Sequence, residues 1–139
     1  KESFALLFID LDKFKEVNDT QGHAAGDKLL IEVANRFSLC VRDTDIVARL
    51  AGDEFTIILK DIKSKSDVES IAKKILQQMQ AAFIIGGHKN YISVSIGITF
   101  YPDDAVDCEK LIRNADEAMY LAKASGRNTY SFYEMTTSQ

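Results

Sequence analysis

Residues 4–12 read Phe-Ala-Leu-Leu-Phe-Ile-Asp-Leu-Asp, six apolar residues followed by two aspartates that a leucine separates. An uninterrupted apolar run of this length predicts a central β-strand that is covered on both faces. Asp10 and Asp12 come at the end of that strand. Because side chains alternate along a strand with a period of two, both carboxylates are expected on the same face.

Two helices are predicted to follow this strand. A short helical turn is expected from Lys13 to about Asn18, and Gly22 and Gly26 then punctuate a loop. From about residue 27 to residue 41, apolar residues recur at the spacing of one helical face.

A β-hairpin is predicted next, from strands at 45–50 and 55–59 that only Ala-Gly-Asp-Glu, residues 51–54, separates. If this hairpin lies beside the first strand, Asp53 and Glu54 converge with Asp10 and Asp12. Such a cluster of oxygen ligands suits magnesium, especially where phosphate oxygens complete the octahedron. On spacing alone, however, solvated acids are favoured, because acids are common at strand ends and turns.

The second half of the chain predicts a helix and then a half-covered strand. Residues 66–69, Ser-Asp-Val-Glu, fit a capping box with Ser66 as N-cap, and the helix is expected to run to about Ala82. Gly86 and Gly87 mark a turn. Residues 91–100 alternate between isoleucine or valine on one face and serine, glycine or threonine on the other, which is typical of an antiparallel strand with one open face.

A last helix and a closing strand complete the pattern. The helix is expected from near Asp107, with Gly126 as its C-cap, and a strand is expected at 129–133. Its inward side chains are expected to be Leu111, Ile112, Ala115, Met119 and Ala122. This order of elements predicts an α+β fold, with one mixed or antiparallel sheet and helices packed on it.

Composition limits the functional classes. The chain has 139 residues, of which 46% are hydrophobic, and we expect one domain with one core. Its formal charge of -4 argues against charge-driven binding to nucleic acid. Cys40 and Cys108 both fall in apolar helical patterns, so buried thiols are expected rather than a disulfide or a metal site.

Two further sets of side chains could contact a nucleotide. A carboxylate can accept two hydrogen bonds from the edge of guanine, and cations can hold a triphosphate. Each residue also has an ordinary alternative, as a helix cap, a satisfied loop histidine or a cation near a helix C-terminus. The polar set is Asn18, His23 and Asp27, and the cationic set is Lys15, Lys123 and Arg127.

Four segments together resemble the GGDEF-type diguanylate cyclases. They are residues 8–15 with Asn18, Gly22-His23 and Gly26-Asp27; residues 49–55, Arg-Leu-Ala-Gly-Asp-Glu-Phe; residues 93–98; and residues 115–128. The resemblance implies a palm-like α+β sheet, similar to that of nucleotide cyclases. It also implies bacterial second-messenger signalling, in which two GTP-loaded domains meet face to face and form cyclic di-GMP and two pyrophosphates.

The resemblance also implies roles for individual residues. The magnesium ligands, with manganese as an alternative ion, would be Asp10, Asp53 and the Leu11 carbonyl. The catalytic residues would be Asp53, as acceptor of the 3′-hydroxyl proton, and Lys15. The substrate-binding residues would be Asn18, His23, Asp27, Phe14, Lys123 and Arg127. Residues of secondary importance would be Asp12, Gly52 and Glu54.

Arg42 and Asp45 resemble the family's RxxD inhibitory site for cyclic di-GMP, with an ordinary surface ion pair as the alternative. Ala51 replaces the first glycine of the family motif, which would strain the chain if that position needs a positive φ. The family's N-terminal helix is absent here, so we expect a fragment of a larger cytoplasmic or membrane-tethered protein with attached sensory or EAL domains. Its activity could therefore be enzymatic, or limited to binding GTP or cyclic di-GMP as a regulatory module.

Overall fold

The computed structural model describes residues 2–134. The order of elements is strand, two helices, hairpin, helix, a second hairpin, strand, helix and strand. The elements are β1 Phe4–Leu11, α1 Phe14–Gln21, α2 His23–Cys40, β2 Ile46–Ala51, β3 Glu54–Lys60, α3 Lys65–Gln78, β4 Phe83–Ile85, β5 His88–Asn90, β6 Val94–Tyr101, α4 Cys108–Ala124 and β7 Thr129–Phe132.

The main sheet has five strands in the order β2-β3-β1-β6-β7, so the apolar β1 lies at its centre. β1 is antiparallel to both neighbours, with Phe4 opposite Lys60 on one side and Tyr101 on the other. β7 runs parallel to β6, and α4 makes the crossover between them. The predicted α+β class with a mixed sheet is confirmed, as is the central position of β1.

Both faces of the sheet are covered. The larger core cluster joins one face to α2 and α3 through side chains such as Leu29, Val33, Phe37 and Ile75. A smaller cluster on the other face packs Leu6 and Phe8 of β1 against α4.

The prediction of an open face on β6 is wrong. Ser95 and Thr99 are fully buried, because α4 crosses directly over them. The closest approach is at Gly97, where an added Cβ would overlap the backbone of α4 and lie 2.8 Å from the Cα of Met119. The small and polar face of β6 is therefore the surface on which α4 packs.

Several boundaries differ from those expected. α2 begins at His23, so Gly26 lies inside a helix rather than in a loop. The N-cap of α3 is Ser64, whose hydroxyl accepts a hydrogen bond from the Asp67 amide at 3.3 Å, and not Ser66. Ser66 is the second residue of the helix, whereas Ser64 precedes it with the extended backbone of an N-cap.

The middle of the chain contains a second hairpin, β4–β5, around the turn predicted at Gly86 and Gly87. Its strands of three residues are too short for a periodic pattern, and α3 ends before them at Gln78 rather than near Ala82. Within residues 2–134, no helix is both long and apolar enough to cross a membrane.

Two side chains predicted as buried are not. Cys40 is buried as expected, but Cys108 is exposed at the start of α4. Ile112 in the same helix is 38% exposed, because it lies to one side of the helical stripe that faces the sheet.

Candidate functional site

The candidate site lies where β1 ends. The β2–β3 hairpin runs beside β1, with Asp10 opposite Glu54, and the Leu11 amide donates to the Asp53 carbonyl at 3.0 Å. On the other side Asp10 is opposite Ser95 of β6. Asp53 and Glu54 are thus brought to the end of β1 by sheet pairing, which does not depend on side-chain contacts.

Asp10 is a buried carboxylate with one unused oxygen. Its Oδ2 forms an ion pair with Nζ of Lys123, from the last turn of α4, whereas its Oδ1 is buried without a hydrogen-bond partner. Burial raises the pKa of Asp10 to about 6; the hydrogen bond from Lys123 opposes this rise, and the negative charge of Asp53 adds to it. A buried oxygen with no partner is costly unless a ligand satisfies it.

The donors at this point fit a divalent cation only in part. Asp10 and Asp53 supply carboxylate oxygens, and the Leu11 carbonyl lies at the same strand end. Among residues 2–134, no group of three or more histidine, cysteine, aspartate or glutamate side chains is arranged to hold a metal. The arrangement suits an ion such as magnesium, which keeps waters or phosphate oxygens in its shell.

The backbone at Ala51, at the start of the β2–β3 hairpin turn, is not strained. Gly52 has the positive φ of the turn, +50°, whereas the described non-glycine residues with a positive φ are Lys13, Asp61, Arg127 and Asn128. Ala51 therefore costs nothing in backbone conformation.

Glu54 is half-buried beside the hairpin turn. Burial raises the pKa of Glu54, the charges of Asp53 and Asp116 raise it further, and Lys123 opposes them.

Asp12 has partners of its own. Its carboxylate accepts hydrogen bonds from the hydroxyls of Ser93 at 2.6 Å and Ser95 at 2.7 Å, and from the Asn128 amide at 3.2 Å. Nε of Arg127 lies 3.9 Å from its Oδ1. Sequence reasoning did not identify these serines or Asn128 as partners of Asp12. The available signal was the alternation of Ser93 and Ser95 on one face of the strand segment that pairs with β1.

The start of α1 lies directly after Asp12. Lys13 is the N-cap in a left-handed conformation with φ 62°, and no side chain caps the helix. The first amides of a helix have no partner within it, so those near Phe14 can bind an anion. Lys15 is exposed one residue later, and a cleft of about 720 Å³ lies beside Lys13 and Arg127.

Asn18 and Asp27 are placed by the corner between α1 and α2. An added Cβ at Gly26 would overlap Oδ1 of Asn18 and lie 3.3 Å from Cζ of Phe14, so the glycine makes room for the amide. His23 and Asp27 are exposed on the first turns of α2.

A second cleft, of about 450 Å³, runs from Asp27 to Phe55 and Arg49. Arg49 is a cation that sequence reasoning did not single out. Its position two residues before Ala51, in the segment quoted for the family resemblance, was the available signal.

Arg42 and Asp45 form a closed pair between α2 and β2. Their side chains are joined by hydrogen bonds of 3.0 and 3.2 Å, and the Lys60 amide donates to Asp45 at 3.0 Å. Burial alone would raise the pKa of Asp45, but the hydrogen bonds from Arg42 and from the Lys60 amide outweigh it, so the pKa is lowered. The Arg42 side chain is 55% exposed, and Asp45 is fully enclosed.

The sequence matches the family described as "Diguanylate cyclase, GGDEF domain" over residues 1–129. It is 47% identical over 131 residues to the bifunctional diguanylate cyclase/cyclic di-GMP phosphodiesterase MucR of Pseudomonas aeruginosa, covering 94% of this chain and 19% of MucR. It is 38% identical over 132 residues to the cyclic di-GMP phosphodiesterase NbdA of the same organism, covering 95% of this chain and 17% of NbdA. The chain thus spans less than a fifth of the length of these two relatives.

A solved structure gives the same likeness in three dimensions. The crystal structure of the GGDEF domain of PA1120 (YfiN or TpbB) from Pseudomonas aeruginosa superposes with a TM-score of 0.93 at 43% identity, covering 97% of this chain and 84% of that one. Sequence and fold agree over almost the whole length. The chain belongs to the GGDEF domain family.

Proposed function

We propose that this domain is a diguanylate cyclase, which condenses two GTP molecules into cyclic di-GMP and two pyrophosphates across a pair of domains. The observation that carries the proposal is that the carboxylates of Asp10 and Asp53 lie near each other at the end of β1, with an unsatisfied oxygen of Asp10 and with Lys123 in the same place. Two acids and a cation at one strand end suit a metal-bound triphosphate.

Asp10, Asp53 and the Leu11 carbonyl are the residues that would hold magnesium or manganese. The bound ion would supply charge neutralisation at the α-phosphate and at the leaving oxygen. Asp53 is half-buried rather than enclosed, so a nucleotide held by a second domain can reach it. It would accept the proton of the 3′-hydroxyl as that oxygen bonds to the α-phosphorus and pyrophosphate leaves.

Other side chains would bind the nucleotide. Asn18 and Asp27 would read the guanine edge, with His23 beside the base or ribose. Lys15, Arg127 and the first amides of α1 near Phe14 would contact phosphates. Lys123 would exchange its partner, because the ammonium group now paired with Asp10 would turn to the triphosphate when a cation takes its place.

The test is to incubate the domain with GTP and magnesium and to measure cyclic di-GMP and pyrophosphate, expected in a ratio of one to two. Asp53→Asn is expected to abolish turnover, because it removes a ligand and the proton acceptor together. Asp103→Asn, at an exposed carboxylate in the β6–α4 connection, is the matched control and should keep the native rate. Native turnover in Asp53→Asn would contradict the proposed role of Asp53.

A second candidate function is regulatory: the domain would bind GTP or cyclic di-GMP without turnover and control an attached domain, such as an EAL phosphodiesterase. The observation that favours this function is a relative that is named only as a phosphodiesterase. Calorimetry separates the two candidates. GTP binding in the absence of any product would support the regulatory function over the enzymatic one.

Arg42 and Asp45 are proposed to bind cyclic di-GMP. Asp45 holds the guanidinium of Arg42 from one edge, and the exposed part of that side chain remains available to a phosphate or a guanine. A charge-assisted contact of this kind is worth about 1.5–3 kcal/mol, so Arg42→Ala should weaken cyclic di-GMP binding roughly 10- to 100-fold.

GTP binding should be unchanged in Arg42→Ala, because the two sites share no residue. Arg113→Ala, at an exposed arginine of α4, is the control. If Arg42→Ala binds the dinucleotide as the native domain does, Arg42 and Asp45 are an ordinary ion pair.

A further inference from the structure

Asp12 is one of the most enclosed charged side chains in the described chain, and both of its oxygens are in use. It is 4% exposed, its Oδ1 accepts from Ser95, and its Oδ2 accepts from Ser93 and from the Asn128 amide. Asp10, two residues earlier and within β1, has an oxygen with no partner. The two aspartates thus differ, since one offers a free ligand atom and the other is committed to the protein.

The segment that Asp12 holds is strained. Gly126, Arg127 and Asn128 have φ values of 116°, 64° and 52°, three successive residues with positive φ after α4. For residues other than glycine this conformation is unfavourable, because the Cβ lies too close to the following carbonyl oxygen, so it persists only where the surroundings impose it. The hydrogen bond from the Asn128 amide to Asp12 joins this turn to β1 across 116 residues of sequence.

The same turn carries Arg127. Nε of Arg127 lies 3.9 Å from Oδ1 of Asp12, and half of its side chain remains exposed beside the cleft that Lys13 also lines. Lys13, immediately after Asp12, has a positive φ as well. Asp12 therefore lies at the junction of the two segments that would contact the phosphates, the start of α1 and the turn after α4.

We propose that Asp12 is a positioning residue for phosphate binding. It fixes the 126–128 turn so that the guanidinium of Arg127 faces the triphosphate, and it takes no part as a metal ligand. The inference rests on the proposed function, because it requires Arg127 to contact the nucleotide.

The test compares affinities for GTP and GMP by calorimetry in the presence of magnesium. The ratio of the two affinities isolates the contribution of the outer phosphates. Asp12→Asn keeps the size of the side chain but removes its charge and one of its two acceptor oxygens, so it weakens the hold of this side chain on the turn and on Arg127. We expect the ratio of GTP affinity to GMP affinity to fall about tenfold or more, because one charge-assisted contact is lost. The affinity for GMP should be nearly unchanged.

A double-mutant cycle tests whether Asp12 acts through Arg127. Arg127→Ala should lower the ratio by itself, and adding Asp12→Asn to it should lower the ratio no further, because the side chain that Asp12 positions is already gone. Ser93→Ala removes only one hydroxyl donor to Asp12 and should lower the ratio by a smaller factor. It provides the same comparison if Asp12→Asn does not fold.

Asp104→Asn is the matched control, because the Asp104 carboxylate also accepts from a backbone amide, that of Phe100 at 2.8 Å, away from the site. It should leave the ratio at the native value. If Asp12→Asn and Ser93→Ala keep the native ratio of GTP to GMP affinity, the positioning role of Asp12 is wrong but the proposed function stands. The same conclusion follows if the affinities for GTP and GMP fall by equal factors. If the native domain binds GTP no more tightly than GMP, both the proposed function and the positioning role of Asp12 are wrong.

Discussion

Gly26 shows how much one residue can decide. The sequence identified it as a loop glycine, yet it lies inside α2 with an ordinary φ, and its missing side chain leaves the space that the Asn18 amide occupies. A pattern of residues indicates where a glycine could allow a turn. It does not indicate that the side chain of Asn18, on the preceding helix, will fill the position.

Gly26→Ala is therefore expected to weaken GTP binding by about 1–3 kcal/mol, because Asn18 has to leave its place beside the guanine site. Folding stability should change little, since alanine favours the helix by about 1 kcal/mol and the overlap opposes it. Calorimetry with GTP and thermal unfolding measure the two effects. Ala24→Gly, on the exposed side of the same helix, is the control and should lower folding stability while leaving the affinity for GTP unchanged. If Gly26→Ala binds GTP with native affinity, Asn18 is not part of the proposed guanine site.

Asp45 contributes a stability that depends on pH. Its pKa in the folded domain is lowered, so its stabilisation is fully present above the unfolded pKa of about 3.9 and is lost as pH falls through the folded value. Asp45→Asn should lower the free energy of unfolding by about 1–3 kcal/mol at neutral pH, because it loses bonds to Arg42 and to the Lys60 amide. The free energies of unfolding of the two proteins, measured by urea titration, should converge as pH falls below about 4. A difference between them that does not depend on pH would show that the charge of the Asp45 carboxylate does not stabilise this junction.

At the level of elements, the contact between α4 and β6 determines where two cations of the candidate site lie. The backbone of α4 reaches β6 only because Gly97 has no side chain. Lys123 lies in the last turn of this helix, and Arg127 lies in the turn that follows it. Period-two alternation revealed which residues of β6 share a face, but small and polar residues on that face suit both solvent and a closely packed helix. That is why the sequence predicted the strand and missed its cover.

Gly97→Ala should destabilise the domain by roughly 1–3 kcal/mol or more, because the added methyl meets backbone that cannot move aside. Gly86→Ala, in the open turn of the β4–β5 hairpin with φ +57°, is the contrasting control, with strain in the backbone but free space around it. Its cost should be about 1 kcal/mol. Chemical denaturation measures both, and equal costs would show that α4 can shift away from the sheet.

Across the whole molecule, the candidate site combines segments that lie far apart in the sequence. The sequence predicted that Asp10 and Asp53 converge if the hairpin lies beside the first strand, and the family resemblance implied their joint role. The pairing of β1 with β3 meets that condition. The ion pair of Lys123 with Asp10 and the hydrogen bond from the Asn128 amide to Asp12 could not be predicted. They depend on the parallel crossover through α4, which no local pattern encodes.

The reaction proposed for this domain needs two copies, since each holds one nucleotide. The rate per domain is therefore expected to rise with domain concentration and to level off only when most domains are paired. The measurement is initial rate against protein concentration at saturating GTP and magnesium. A rate per domain that stays constant on dilution would argue against a reaction shared between two transiently paired domains.

The central position of β1 also has a consequence for how the chain folds. β1 precedes both of its neighbours, residues 54–60 and 94–101, in the chain, so its apolar side chains pair with residues that lie roughly fifty and ninety positions later. Sheets built from such distant pairs close slowly, because the entropy of the long loops is lost before the contacts form. Asp10 and Asp12 are at the end of this strand, so we expect the carboxylates to reach their positions only when these distant strand pairs form.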